Sequence, residues 1–447
     1  MALSGLEIYK LLPKTNCKEC GFPTCLAFAM KLAAKQVSLS DCPYVSDEAK
    51  EKLEAASQPP ITLVEIKGEE GEVKVGNETV LFRHEKTFYH RPGLFWRLKD
   101  TEDLETLKSK VAEADAYEVD YVGIELFLDG FAVDAASGDT ATFNNAVAAV
   151  RSVSKKPLIL IAPSAELLKA GLEATDGTRP LIYAADEENW EAMAEVAKEA
   201  GVPLVARAET LDDLADLTQK IKGAGVEEIV LDPSVKEYKD SLETLTSLRR
   251  LALKENFRPL GYPILTFPGA NENADETLLA AEQIAKYGGL VVLEEFNPAS
   301  IYALLVLRQN IYTDPQKPIQ VQPGVYEINS PDANAPLMVT TNFSITYFSI
   351  ANEIEGSGWP GWLLVADAEG MSVLTAWAAG KFDAERIAKD AKTFNIEEKV
   401  SHRKIILPGH VAVISGELEE EMECWEIMVG PREAVDISSY LKAMWQN

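Results

Sequence analysis

From Pro59 to about residue 315, short apolar, β-branched runs alternate with longer amphipathic stretches, and this alternation constrains the chain more than any other feature of its sequence. The pattern implies parallel strands joined by crossover helices. The runs are TVLFRH from Thr79, YVGIELF from Tyr121, PLILIAP from Pro157, PLIYAAD from Pro180, PLVARA from Pro203, EEIVLD from Glu227, YPILTFP from Tyr262 and LVVLEEF from Leu290, each followed by a helix-length segment. Eight βα units is the number that closes a TIM barrel, so a (β/α)8 barrel is expected over residues 59–315.

The 447 residues leave room for two further domains. Residues 1–58 end in the polar run DEAKEKLEAASQPP, whose final prolines, Pro59 and Pro60, mark a boundary. Few apolar positions there could anchor the segment to a barrel, so it reads as a mobile module. After the barrel, TDPQKPIQVQPG lacks periodicity and is rich in proline, which makes residues 316–324 a linker. Residues 325–447 then repeat the strand-helix alternation with strands PLMVTT, WLLVADA, KIILPG and WEIMVGP. A small, doubly wound, Rossmann-like α/β domain is expected, which would hold a ligand at the carboxyl ends of its strands.

The loops at those ends supply the candidate binding residues: Thr340, Thr341, Asn342 and Thr346 from the first, Gly370, Met371, Ser372 and Val373 from the second, Pro408 and Gly409 from the third, and Gly430, Pro431 and Glu433 from the fourth. The glycines would let backbone approach a ligand, and helices starting at Met371 and His410 would aim amide donors at it. No G-x-G-x-x-G fingerprint or Walker loop is present. Small apolar loop residues suit a large, flat, mostly uncharged ligand; a plain interaction domain is the alternative.

Lys plus Arg is 43 against 71 for Asp plus Glu, a formal charge of -28, with no cationic block that could displace counterions from nucleic acid or hold an anionic membrane. No run approaches 18 apolar residues and MALSGLEIYKLLPK has no leader pattern, so a cytoplasmic location is expected. Four of five cysteines lie in the first 42 residues, a clustering that points to metal rather than disulfides.

These are Cys17, Cys20, Cys25 and Cys42, spaced C-x2-C-x4-C-x16-C, with Pro43 directly after the last. Three thiolates on a loop bent by Gly21 and Pro23, joined by a fourth returning from the next helix, suit a 4Fe-4S cluster. Structural zinc is the competitor, but it more often draws on two matched C-x2-C pairs. Residues 1–35 hold five lysines and two glutamates, and Lys14 and Lys18 flank the loop, where cations could raise a cluster potential or steer an acidic electron donor. Cys424 reads as an inert thiol buried at the start of a strand. At the barrel strand ends stand Arg83, His84, Glu125, Asp129, Asp186, Arg207, Asp232, Glu294 and Glu295; such carboxylates also cap helices, as Asp232 in Asp232-Pro233-Ser234 looks placed to do, and the barrel reads as scaffold or docking surface.

A four-cysteine module led by TNCKECGFPTC, a barrel and a small α/β domain, in that order, resemble the large (gamma) subunit of the corrinoid/iron-sulfur protein of the anaerobic acetyl-CoA pathway. The resemblance implies a methyl carrier: cob(I)amide takes a methyl group from methyltetrahydrofolate through a separate methyltransferase and passes it to acetyl-CoA synthase/CO dehydrogenase. It further implies a heterodimer with a smaller barrel subunit, and a 4Fe-4S cluster, fed by a reductive activator or ferredoxin, that restores Co(I) by one electron. The D-x-H-x-x-G motif that supplies a lower histidine in other corrinoid domains is missing, and His402 and His410 lack its context, so a base-off corrinoid with no histidine ligand is expected. Two rival readings are an electron-transfer subunit with a docking domain and a barrel enzyme with its own substrate.

Overall fold

The computed structural model describes residues 5–33, 37–46, 49, 53, 59–85, 87–121, 124–175, 177–270, 274–314 and 319–445. The chain forms two compact units, Met1–Glu118 with Phe127–Tyr312, and Val119–Leu126 with Thr313–Asn447. Much of DEAKEKLEAASQPP, and residues 315–318 at the head of the expected linker, lie outside the described residues.

The amino-terminal segment contains helices α1 (Gly5–Leu11) and α2 (Cys25–Ala33). Ile8, Leu12, Phe28, Ala29, Val45 and Leu53 form a small core of their own, into which Cys25 and Cys42 are packed. Thr24 starts α2 by accepting the Ala27 N–H at 3.1 Å, which fixes Cys25 at the first helical position.

The barrel is built from β3 (Gly93–Lys99), β6 (Gly130–Asp134), β7 (Leu158–Ile161), β8 (Leu181–Ala185), β9 (Leu204–Arg207), β10 (Ile229–Asp232), β11 (Leu265–Thr266) and β12 (Leu290–Leu293). They pair in the order β10-β9-β8-β7-β6-β3-β12-β11, all in parallel. A parallel bridge from Leu231 to Ile264, with the Leu231 N–H on the Pro263 carbonyl at 2.8 Å, joins the two ends, so the barrel is nearly closed. Phe95, Ala132, Ile159, Val205, Val230 and Val292 fill its interior. The antiparallel hairpin β1 (Val64–Lys67) and β2 (Glu72–Val75) adds Val64, Ile66, Val73 and Val75 to the same core and so stoppers one end of it.

Two expected strands are corrected. TVLFRH is loop: Arg83 donates to the Ile311 and Asn310 carbonyls, and Arg249 to the Val80 carbonyl at 2.8 Å. GLFWRLK is the first barrel strand instead, buried on both faces over most of its length as a helix-covered parallel strand must be. YVGIELF does contain strand, but as part of a two-stranded sheet, β4 (Glu118–Tyr121) with β5 (Ile124–Phe127), half-exposed and lying mostly in the second unit. The second barrel strand is the fully buried GFAVD.

The second unit centres on a five-stranded sheet of order β13-β15-β14-β16-β17, formed by β13 (Gly324–Ile328), β14 (Leu337–Thr341), β15 (Gly361–Ala366), β16 (Lys404–Leu407) and β17 (Glu426–Val429). Four strands are parallel and β13 is an antiparallel edge. Leu337, Val339, Leu364 and Ala366 pack one face against α12 (Val373–Ala378) and α13 (Ala384–Thr393). Met338, Leu363, Val365 and Ile406 pack the other against α11 (Ser344–Ser357) and α15 (Ile437–Met444), while α14 (Ser415–Glu421) precedes β17. Helices therefore cover both faces. Residues 319–321 are paired, with the Ser344 N–H on the Ile319 carbonyl and the Val321 N–H on the Asn342 carbonyl. Cys424 is exposed at φ 70° in the turn before β17, not buried in the strand, because the strand begins two residues later at Glu426.

Candidate cofactor sites

The thiol loop coils in an unusual way. Lys14, Asn16 and Lys18 are all left-handed, at φ 59°, 49° and 68°. Alternation of hand along a loop turns backbone N–H groups towards a common centre, the arrangement that receives anions and iron-sulfur clusters. Asn16 shows the result: its N–H points at Cys25 Sγ at 3.4 Å while its Oδ1 accepts the Cys25 N–H at 2.8 Å. Cys25 and Cys42 are buried, and Cys17 and Cys20 are half-buried. Burial pushes the Cys42 thiol up; the Tyr44 N–H works against this, and the nearby Cys20, Cys25 and Cys17 thiols add to it. All four sulfurs thus act on one neighbourhood. Among the described residues no three His, Cys, Asp or Glu side chains sit at the spacing of a single bound ion.

The second site lies in the five-stranded sheet. The chain leaves β14 for β15 on one side and later returns to β16 on the other, so the order of connection reverses between β14 and β16, where such sheets open a crevice. A cavity of about 340 Å³ occupies this place. Met338, Val339, Ile406 and Leu407 give it an apolar floor, Ile345 and Leu374 stand on its rim, and Thr346, Ser349, Ser372, His410, Arg432, Glu433 and Tyr440 bring polar groups. Ile345 is 68% exposed and Leu374 47%, which is costly for large apolar side chains with nothing over them. Thr340 Oγ1, Thr341 Oγ1 and Tyr440 Oη are buried and lack hydrogen-bond partners among the described residues. Burial raises the Tyr440 pKa, with Glu426 adding to the shift.

Of the candidate binding residues, Thr346, Ser372, Val373, Pro408, Pro431 and Glu433 line the cavity. Thr340, Thr341, Asn342, Gly370, Met371, Gly409 and Gly430 do not. Asn342 is an internal brace, its Oδ1 accepting the Ala368 and Gly370 N–H groups, each at 2.9 Å, and its Nδ2 donating to Gln320 Oε1 at 3.0 Å. Gly409 and Gly430 hold loop against loop: a Cβ on Gly409 would stand 2.5 Å from the Gly430 carbonyl oxygen. Helix α12 begins at Val373 behind Ser372, and Gly409 opens a 3-10 turn, so the helix starts lie close to, but not at, the expected Met371 and His410.

The histidines divide. His402 Nε2 lies 2.8 Å from the Ala335 carbonyl and its ring meets Trp445 edge-on, whereas His410 is on the cavity wall with Nε2 3.8 Å from Glu433 Oε1. Tyr440, Ser349 and Met338 went unpredicted, since they come from helix and strand interiors and nothing in the sequence singles them out.

Most barrel strand-end candidates have structural partners. Asp129 pairs with the buried Arg308 and accepts the Leu94 N–H at 2.8 Å; Asp186 accepts the Glu188 and Asn189 N–H groups; Glu294 and Asp134 grip Arg97. Asp232 does not cap a helix, since the next one begins at Tyr238 behind Glu237; its Oδ1 accepts the Ser234 N–H at 2.8 Å and its Oδ2 the Tyr183 hydroxyl at 2.7 Å.

The family model for the CO dehydrogenase/acetyl-CoA synthase delta subunit matches residues 63–441, and a shorter model, for an Fe-S cluster, matches residues 12–44. Over 443 residues the chain is 44% identical to the corrinoid/iron-sulfur protein large subunit of Moorella thermoacetica, covering 99% of both chains. The chain belongs to the corrinoid/iron-sulfur protein large-subunit family. Members from archaea are called gamma subunits of the acetyl-CoA decarbonylase/synthase complex: that of Archaeoglobus fulgidus is 39% identical, covering 99% of this chain and 98% of the relative, and that of Methanopyrus kandleri 34% identical, covering 98% and 97%. Among solved structures, dihydropteroate synthase from Vibrio fischeri aligns with 56% of this chain and all of its own at a TM-score of 0.40 and 13% identity. The barrel rests on its own strand pairing, not on that likeness. Among the described residues no helix is long and apolar enough to cross a membrane.

Proposed function

We propose that this chain is a corrinoid-dependent methyl carrier that holds a 4Fe-4S cluster on Cys17, Cys20, Cys25 and Cys42 and a corrinoid at the switch point of a Rossmann-like carboxyl-terminal domain. The observation that carries the reading is the cavity between β14 and β16, apolar on its floor and rim, with three buried hydroxyls nearby that lack hydrogen-bond partners among the described residues. When bound, the corrinoid supplies a cobalt centre that accepts a methyl group originating from methyltetrahydrofolate and yields it to acetyl-CoA synthase, and the cluster supplies single electrons that keep the cobalt reactive.

The residues have distinct tasks in this reading. Met338, Ile345 and Leu374 offer contact to a flat, apolar face, which would cover the exposed rim. Thr346, Ser372 and Tyr440 offer hydroxyls to amide side chains or a nucleotide tail, and Thr340 holds one in reserve in the same strand as Met338. Asn342, Gly409 and Gly430 shape the loops from behind. His410 Nε2 lies 3.8 Å from Glu433 Oε1, and the corrinoid in this reading is base-off with no histidine ligand. At the thiol loop, the Asn16 N–H faces Cys25 sulfur, and Lys14 and Lys18 add positive charge beside it.

The chain would work with partner enzymes: a small subunit, a methyltetrahydrofolate methyltransferase, acetyl-CoA synthase/CO dehydrogenase and a reductive activator or ferredoxin. The names of its relatives, which speak of a large subunit and of a decarbonylase/synthase complex, support the assembly. Electron paramagnetic resonance of the Co(II) state tests the cavity and its ligation together. The expected spectrum has no superhyperfine splitting from an axial nitrogen and is unchanged by His410→Ala, while Leu374→Glu lowers bound cobalt and leaves iron alone. Nitrogen splitting that disappears in His410→Ala would refute the base-off, histidine-free state, and full cobalt in Leu374→Glu would refute the location.

A further inference from the structure

The thiol loop is closed by two reciprocal bonds between residues nine apart in the chain. The Asn16 N–H donates to Cys25 Sγ at 3.4 Å, and Asn16 Oδ1 accepts the Cys25 N–H at 2.8 Å. Cys25 is the first residue of α2, so its N–H has no partner within the helix, and the Asn16 side chain satisfies it from outside. Cys17 and Cys20 lie on the segment between the two clamped ends, where the Gly21 N–H on the Lys18 carbonyl at 2.9 Å makes a turn around Cys20.

Both bonds depend on the residue type at position 16. Its backbone is left-handed at φ 49°, a conformation that asparagine and glycine adopt readily and that most side chains resist. Its amide oxygen is the acceptor that locks this conformation to the start of α2. Asn16 is exposed and stands outside the small apolar core of the segment, so its side chain does not pack the fold. What it positions is a dipole. The N–H is aimed at a sulfur whose residue is only 5% exposed, where water screens a charge or a dipole far less than at the surface. Cys42, the other buried thiol, is met by the Tyr44 N–H from two residues along the chain.

We propose that Asn16 is a positioning residue that holds up the reduction potential of the cluster, by clamping its own N–H onto the Cys25 sulfur. The inference rests on the cluster reading given above and deepens it. Reduction brings one electron from a donor into the cluster, and the added negative charge is shared with the ligand sulfurs. An N–H dipole pointing at one of them stabilises the reduced form more than the oxidised one, which is how hydrogen bonds to sulfur tune such centres. The clamp therefore makes the cluster easier to load from a donor, at some loss of driving force towards cobalt. Lys14 and Lys18 act in the same direction, but from exposed positions where solvent and salt screen them.

The test uses the full chain with its cofactors bound, purified anaerobically and carrying 15N in asparagine alone. Asn16 is the only asparagine in residues 1–58, so a 15N coupling in pulsed electron paramagnetic resonance of the reduced cluster reports its amide and not that of Tyr44. That coupling is expected. In a redox titration, Asn16→Ala should make reduction of the cluster about tenfold less favourable, a fall of about 59 mV in a one-electron midpoint. Iron content and the cobalt midpoint read in the same titration should not move. Asn16→Gly, which keeps the left-handed backbone but loses the clamp, should fall between Asn16→Ala and the parent. Should Asn16→Ala lose iron, the 15N coupling and the Asn16→Gly midpoint decide. A reduced-cluster signal without 15N coupling, or substituted chains whose cluster midpoint equals that of the parent, would overturn the proposal. A parent chain with no reduced-cluster signal would overturn the cluster reading and this inference with it.

Discussion

Asn342 Oδ1 accepts the Gly370 N–H at 2.9 Å and thereby ties the loop after β14 to the loop after β15. The same oxygen takes the Ala368 N–H, and the amide end reaches Gln320, so one buried side chain fixes three backbone or side-chain partners behind the cavity. Gly370 can accept this position because it is left-handed, at φ 72°.

Replacing Asn342 with Ala should therefore cost about 3 kcal/mol in the unfolding of the carboxyl-terminal unit, at about 1 kcal/mol for each of three lost bonds. Urea denaturation followed by circular dichroism would measure it. Bound cobalt should fall in the same variant and iron should not.

A methyl group at Gly409 would meet the Gly430 carbonyl oxygen at 2.5 Å and the Pro431 carbonyl oxygen at 3.0 Å, which are backbone and cannot swing aside. Gly409→Ala should destabilise by about 1–3 kcal/mol through overpacking, and should part the two loops that flank the cavity. Gly138→Ala, with nothing within 4 Å but a left-handed φ of 68°, should cost only about 1 kcal/mol and leave cobalt binding intact. Equal cobalt loss in both would separate loop contact from ligand binding and contradict this reading.

These glycines show what the sequence could and could not reveal. Residue type flagged Gly409 and Gly430 as sites of close approach, but only the fold says that each approaches the other. Strands such as LVVL and LILI were legible because every residue is buried and the pattern has no polar gap. GLFWRLK was hidden by Arg97 and Lys99, charges that look out of place in a barrel until Asp134 and Glu294 are seen around Arg97. The cysteine loop, local in sequence, was readable; the cavity, assembled from Met338, Ser349, His410 and Tyr440, was not, since those residues converge only when β14, α11, the turn after β16 and α15 meet.

Cys20→Ala should abolish the broad iron-sulfur absorption and the reductive reactivation, because only three of the four proposed thiolate ligands would remain. Methyl transfer from already reduced protein should survive. Single-turnover assays started with and without chemical reductant distinguish these outcomes; parallel loss of both activities would mean that Cys20 serves the fold rather than the electron path.

Stability should vary with pH through Asp390. Burial holds its carboxyl above the ordinary 3.8, against the opposing Asp367 N–H, which it accepts at 2.9 Å. A raised folded-state pKa means that the native state binds more protons, so this contribution is complete below 3.8 and is lost as pH rises through the folded pKa. Asp390→Asn keeps the acceptor for Asp367 and removes the titration. The unfolding free energy of the parent relative to Asp390→Asn should thus decline from about pH 4 upwards, as read by denaturant melts across that range; a difference that grows with pH would reverse the sign assigned here.

The most direct measurement is the iron and cobalt content of the anaerobically purified full chain with its visible spectrum. Iron and cobalt are expected in a ratio of about four to one, with corrinoid bands that shift on methylation over a broad iron-sulfur background. Stoichiometric zinc without iron, or iron without cobalt and no methylation-sensitive bands, would contradict it.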